Sequence, residues 1–310
     1  MIKASILALA IALAGSGLVN NAEAGQEKRH HGFSISTGPG KMINDCSQVR
    51  LNVRDAEVVR SEQTKTIPRN SISSLQIQAP YHGGIYVQGW DRDEYSIKAC
   101  LGAAGDSSAE AKALMDQLSL SVHDGQVTVQ GPGRETWVGY LLVQAPNGAT
   151  LDLGATNGPI SLNAISASVR VQTTNGPISF NDVAGQVRAH AQNGPINISG
   201  NKGDFNLETQ NGPIGVELTG SQWESGQLEA SAQNGPLTLT LPPNYQSSVR
   251  VEASKHSPIE CRAIQCKQAT RTWDKPNIIE FGESSPVVRM STVNGPVTIV
   301  SASDKRQNAN

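Results

Sequence analysis

Aromatic side chains are scarce, making up 4% of the 310 residues. Extended stacking platforms for bases or sugars are therefore excluded. A surplus of either charge is also lacking: 25 Lys and Arg stand against 27 Asp and Glu, a net charge of −2. That balance speaks against nucleic-acid binding through counterion release. After the first two dozen residues, no apolar run approaches the roughly 20 residues that a membrane-spanning helix needs. Cysteine occurs only four times, and no Cys-x-x-Cys spacing points to zinc. The composition is nevertheless that of a folded chain, with 37% hydrophobic residues and 30 glycines. Glycine is the excess, and its placement carries most of the information.

Residues 1–24 read as an export signal. Lys3 gives a positive start, residues 6–14 are an unbroken apolar run, and Ala22-Glu23-Ala24 fits a small-x-small cleavage site. No cysteine lies near that site, so lipid anchoring there is not expected. The predicted address of the remaining chain is the periplasm, the cell surface or the medium. In such an oxidising compartment Cys46, Cys100, Cys261 and Cys266 are expected to form two disulfides. Three pairings are open; Cys46 with Cys100 and Cys261 with Cys266 keeps each pair within one region.

The strongest signal is an internal repeat. Asn-Gly-Pro begins at Asn157, Asn175, Asn193, Asn211, Asn234 and Asn294. The spacings are 18, 18, 18, 23 and 60 residues, and the last gap holds a degenerate copy, His256-Ser257-Pro258-Ile259. Counted from each Asn, positions −6, −4, −2, +3 and +5 give 30 sites. Of these, 27 are apolar and three are Thr. At −5, −3, −1 and +4, only Val293 among 24 residues is strongly apolar. Such period-two alternation predicts half-buried strands, two per repeat, with a turn at Asn-Gly.

Asn-Gly is the strongest hairpin signal. The proline that follows argues against a hairpin here, because it has no N–H to close the turn. The triplet suits a corner of a β-solenoid, where strands pair with the coils on either side. The predicted fold is thus all-β, a solenoid of ~18-residue two-strand coils stacked about 4.8 Å apart. It spans residues 136–302, with an excursion at 263–285. Residues 287–301 are expected to return as the last coil. Residues 25–47 read as irregular and 303–310 as a polar tail. Residues 48–135 read as a β-rich N-terminal region with one helix at 107–118, placed to cover the first coil's open edge.

That N-terminal region carries a family resemblance. Residues 84–94, Gly-Ile-Tyr-Val-Gln-Gly-Trp-Asp-Arg-Asp-Glu, are followed by a strand, the Ala-rich helix, a Val-x-x-Gly-x-Val-x-Val pair at 122–129 and the Asn-Gly-x-Ile coils. This order resembles the bacterial putative-adhesin family of β-strand-repeat proteins, a domain of unknown function. The resemblance implies an exported, repetitive β fold at the cell envelope. It implies no catalytic residues.

The residues themselves offer little chemistry. His30-His31 could bind a metal at the mature N-terminus, but a solvated polar tail explains them as well, and no His-Glu-x-x-His or calcium loop is present. No Gly-x-Ser-x-Gly occurs. The outward −5 column reads Asp152, Arg170, Arg188, Asn206, Glu229, Arg289, mixing signs. Asp152 beside Arg170 suggests a weak surface ion pair, not an acid–base set. Trp90, with Asp91 and Arg92, is the candidate binding group; the structural alternative is a tryptophan wedged at a turn with Asp91 and Arg92 paired. Trp137, Trp223 and Trp273 fall in expected loops or insertions. The sequence therefore reads as a non-catalytic envelope protein without a cofactor or resident metal. Its expected partner is an envelope protein, a glycan or a second copy of itself. A glycan hydrolase or lyase on the same scaffold, or an envelope-stress regulator docking a membrane partner, is the alternative.

Overall fold

A computed structural model of the chain describes residues 33–36, 43–53, 56–133, 136–272, 277–282 and 284–302. The expected signal segment 1–24, His30-His31, Trp273 and the tail 303–310 lie outside them. The described residues fold as a β-solenoid of stacked coils with one α-helix.

Each Asn-Gly-Pro coil contributes one strand before the triplet and one after it, and both pair in parallel with their equivalents in the next coil. Leu151 stands opposite Val169, Val169 opposite Val187, and Val187 opposite Phe205. After the corner, Ile160, Ile178, Ile196, Ile214 and Leu237 form a second column. The apolar offsets face inward and are almost fully buried; Ile160, Ile178, Ile196, Ile214 and Val249 are 0% exposed. Each such side chain contributes roughly 1.5–3 kcal/mol by leaving water.

The corners bond from coil to coil, not across the turn. The Ile160 N–H donates to the Pro177 carbonyl, and Ile178 and Ile196 donate to Pro195 and Pro213. On the surface the six Asn side chains form an amide ladder. Asn175, Asn193, Asn211, Asn234 and Asn294 each donate to the preceding Asn at 2.9–3.0 Å. Beside it runs a column of glycines so close that a Cβ on Gly176 would lie 2.1 Å from the Gly158 carbonyl oxygen. Only glycine fits that spacing.

The stack does not begin at Asn157. Leu75–Gln78 pairs in parallel with Thr150–Ala155, and Ile85–Trp90 with residues 160–163. Residues 75–90 are thus one more coil, with Gly83-Gly84 at its corner. Gln126–Gln130 and Trp137–Pro146 then pair on its other side. The parallel layer next outward from residues 75–90 is therefore later in the chain than they are.

The opposite end shows the same transposition, and it corrects the expectation for residues 287–301. Val288–Asn294 pairs with Leu228–Asn234 on one side and with Val249–Ala253 on the other. Val297–Ser301 likewise lies between Leu237–Leu241 and Ile259–Cys261. The coil last in sequence is thus inserted beneath the degenerate coil and is not terminal in the stack.

Both ends finish in antiparallel strands. At the near end Ser119–His123 turns back on Gln126–Gln130, through Asp124-Gly125 with positive φ at both residues. Glu94–Gly105 runs antiparallel to Trp137–Pro146, and Glu57–Pro68 to Glu94–Gly105. At the far end Asn277–Phe281 and Thr270–Thr272 run antiparallel outside Val249–Ala253. The segment 263–285 is therefore partly strand. The helix, Ser108–Met115, is capped by Ser107, whose hydroxyl accepts from the Glu110 N–H. It packs on Glu57–Pro68 and Glu94–Gly105 at the near end of the stack.

Disulfides join Cys46 to Cys100 and Cys261 to Cys266. The first ties residues 43–49 over a separate apolar cluster on the outer face, formed by Ile43, Val49, Tyr86, Val138, Tyr140 and Leu142. Burial, with the neighbouring Tyr86, raises the Tyr140 phenol well above the usual tyrosine range.

Candidate functional site

The alternation that buries one set of side chains lifts the other set into rows on the outer face. In stacking order, the −5 row of the pre-corner strands reads Gln126, Gln76, Asp152, Arg170, Arg188, Asn206, Glu229, Arg289, Arg250, Glu280. The neighbouring −3 row reads Gln78, Gly154, Gln172, His190, Glu208, Ser231, Ser291, Glu252. Reading these rows requires the transposed order, because Arg250 precedes Arg289 in the chain and follows it in the stack.

Between the rows lie three adjoining shallow cavities of about 240, 380 and 280 Å³. The first shares Gln172 with the second, and the second shares Asn206 and Glu208 with the third. Together they form one open trough along the stack. Its near end is lined by the amides Gln76, Gln78, Gln126 and Gln172 and by the Asp152 carboxylate. Arg170, Arg188 and His190 line its middle. Its far end holds Glu208, Glu229, Glu252, Arg250 and Arg289.

The far-end charges are matched. Arg250 pairs with Glu252 at 3.3 Å and Glu280 at 3.2 Å. Arg289 pairs with Glu229 at 3.6 Å, and Glu208 lies 3.8 Å from His190. The middle differs. Arg170 and Arg188 stand on adjacent rungs, both exposed, with no ion pair or hydrogen bond among the described residues. The Asp152–Arg170 ion pair expected from the sequence does not form, although the two residues are register neighbours. Facing rungs bring the backbones within strand spacing, but these two side chains do not meet.

Trp90 sits at the turn between Ile85–Trp90 and Glu94–Gly105, opposite Pro146. Its indole N–H donates to the Glu94 carbonyl at 2.8 Å, and the Arg92 guanidinium lies 4.9 Å from the ring centre. Arg92 pairs with Glu94 at 3.7 Å and not with Asp91. Both Trp137 and Trp223 are buried; Trp223 lies in the loop of the insertion, as expected, and Trp137 in a strand instead of a loop. Trp137 opens the strand Trp137–Pro146, and its indole N–H donates to the Pro132 and Gly133 carbonyls. Trp223 fills the space that the 23-residue coil opens, edge-on to Phe205 at 6.1 Å. No sequence signal marks the trough amides Gln76, Gln78 and Gln126, since the Asn-Gly-Pro signature is absent from their coils.

No cluster of three or more His, Cys, Asp or Glu side chains among the described residues could hold a metal ion. No helix there is long and apolar enough to cross a membrane.

Several solved structures are similar at low identity. A putative cell adhesion protein from Clostridium sporogenes is 10% identical, with 78% of this chain and 100% of that chain covered and a TM-score of 0.34. A putative adhesin from Bacteroides fragilis is 11% identical, covering 79% and 97%, with a TM-score of 0.30. A putative lipid binding protein from Parabacteroides distasonis is 11% identical, covering 78% and 96%, with a TM-score of 0.27. No curated protein shows significant similarity to the chain. The family profile of Toastrack DUF4097 matches residues 48–260, which takes in the Gly-Trp-Asp-Arg turn and five of the six Asn-Gly-Pro coils. The chain belongs to the Toastrack DUF4097 family.

Proposed function

We propose that the chain is an exported, non-catalytic binding protein of the bacterial envelope, and that it holds an extended polar ligand along the outer trough. The carrying observation is the trough itself: three cavities joined end to end across successive coils, lined by amides and charges. A linear polymer matches that shape better than a compact ligand does, because polar groups recur at every coil. Amides and guanidinium groups suit hydroxyl-rich chains, so the ligand class is a glycan. The two disulfides support an oxidising compartment.

Hydrolysis of that glycan is the competing reading, since Glu208, Glu229 and Glu252 line one cavity. A general acid of that kind usually sits in an apolar pocket that favours its protonated form. Here the three side chains are 56%, 47% and 40% exposed, and each faces His190 or an arginine. We therefore assign binding without turnover.

A glycan and envelope-protein binding screen tests this. The expected result is retention of extended glycans without cleavage, and loss of retention when Ser231→Trp fills the trough. Glycan binding that survives Ser231→Trp, or release of shortened product, would overturn the assignment.

A further inference from the structure

We infer that Arg170 and Arg188 form a subsite for an isolated acidic group of the ligand, so that the trough takes a glycan in which uronate residues alternate with neutral sugars. This rests on the trough reading above and narrows its ligand.

The contrast within one row carries the inference. Two pairs of arginines stand on facing rungs: Arg170 with Arg188, and Arg289 with Arg250. The second pair is neutralised by Glu229, Glu252 and Glu280. The first has no carboxylate within ion-pairing distance among the described residues. Like charges on facing rungs repel, so the fold retains an uncompensated cationic pair there. Each guanidinium carries five N–H donors in a planar fork that matches a carboxylate in two parallel bonds. Two forks on neighbouring rungs, opening into a cavity of about 380 Å³, can grip one acidic group from both sides.

The surroundings set what kind of acid fits. Asp152 lies one rung before Arg170, and Glu208 and Glu229 follow beyond Arg188. A polymer with a charge on every unit, such as polyphosphate or nucleic acid, would place anions against these carboxylates. A chain with spaced carboxylates would not. The amides Gln172, Gln76 and Gln78 on the near side offer both donors and acceptors to the neutral sugars between.

Titration of the chain with hyaluronan oligosaccharides, dextran oligosaccharides and polyphosphate tests the subsite. Hyaluronan is expected to bind tightest, with affinity that falls as salt rises. Arg170→Gln/Arg188→Gln is expected to weaken hyaluronan at least about tenfold, the loss of one charge-assisted bond or more. Arg188→Lys keeps the charge without the fork and should give a smaller loss. Arg262→Gln, which breaks a pair with Glu260 elsewhere, should change nothing. Both arginines are exposed, and an unchanged melting temperature confirms that the variants fold. Hyaluronan affinity unaffected by the double variant, or tighter binding of polyphosphate, overturns the subsite. Equal binding of dextran and hyaluronan removes the subsite and leaves the trough reading standing. Binding of neither glycan removes both.

Discussion

The middle of the stack and its two ends solve different problems. In the middle, from Asn157 to Asn234, chain order and stacking order agree and all pairing is parallel. Identical corners face each other, so one amide ladder and one glycine column serve every coil. Such an array would fray at its termini, because each coil touches only its neighbours. It would also leave edges open to strand addition. At each end the chain instead skips a layer, returns, and finishes in antiparallel strands. The inserted strand at the far end, Val288–Asn294, is gripped on both sides. Edge strands there are short: Ile259–Cys261 and Thr270–Thr272 have three residues each. At the near end the Gln63 side chain pairs with the Leu118 carbonyl and the Leu120 N–H, standing in for a missing strand. Regularity stabilises the middle; crossings and covalent staples stabilise the ends, with short edge strands at the far one.

The largest expected effect separates the two regions covalently. The Cys46–Cys100 bond closes a separation of 54 residues, for which the chain-entropy estimate is about 4 kcal/mol. The Cys261–Cys266 bond closes a separation of 5 and is worth about 2 kcal/mol on the same estimate. Cys46→Ser/Cys100→Ser should free residues 43–49, expose Tyr86, Tyr140 and Leu142, and raise binding of a hydrophobic dye. Hydrogen exchange should quicken in Glu94–Gly105 and Trp137–Pro146 while Ile178–Asn193 stays protected. Equal loss of protection in both places would show that ends and middle melt as one unit.

The sequence made the middle legible because its signal is local. Twenty-seven apolar residues at fixed offsets define the inward face wherever a coil sits. The order of coils is not local: Val288–Asn294 has the same pattern whether it ends the stack or lies inside it. Residues 75–90 were hidden for a related reason. Their corner keeps only Gly83-Gly84, which the stack's close approach demands, and lacks the Asn and Pro that announce the others. The candidate site was half visible. Arg170 and Arg188 share an offset in consecutive 18-residue repeats, but their lack of partners depends on side-chain reach that register alone does not give. Trp223 lies in the loop that the insertion predicts; the burial of its indole against Phe205 depends on the packing of the neighbouring coil, which the insertion alone does not show.

A smaller effect tests the glycine column against a glycine outside it. A Cβ at position 194 would lie 2.1 Å from the Gly176 carbonyl oxygen, and both groups are backbone. Gly194→Ala should cost roughly 2–3 kcal/mol, as overpacking does when neither side can move away. Gly200, at the end of Ile196–Gly200, has nothing within 4 Å of its missing Cβ. Gly200→Ala should be neutral or stabilise by up to about 1 kcal/mol, since it narrows the unfolded ensemble. Urea unfolding at constant slope measures both. Equal costs would mean that the coils can spread, and that the column is tolerated rather than required.

The finest test lies within the middle, at the −2 offset. Thr209 donates its hydroxyl to the Gly194 carbonyl at 3.1 Å, and Thr292 donates to Gly235 at 2.9 Å. Each bond links a coil to the corner beside it. Thr173 occupies the same offset, yet its buried hydroxyl has no partner among the described residues. A buried hydroxyl without a bond carries its desolvation cost with nothing in return. Thr209→Val and Thr292→Val should therefore each destabilise by about 1 kcal/mol, while Thr173→Val should be neutral or stabilising by a similar amount. The three sites share offset, burial and shape, so the difference between them isolates the hydrogen bond. A matching loss at Thr173 would mean that its hydroxyl bonds a corner carbonyl in solution, and the middle of the stack would then be more uniform than its hydrogen bonds indicate.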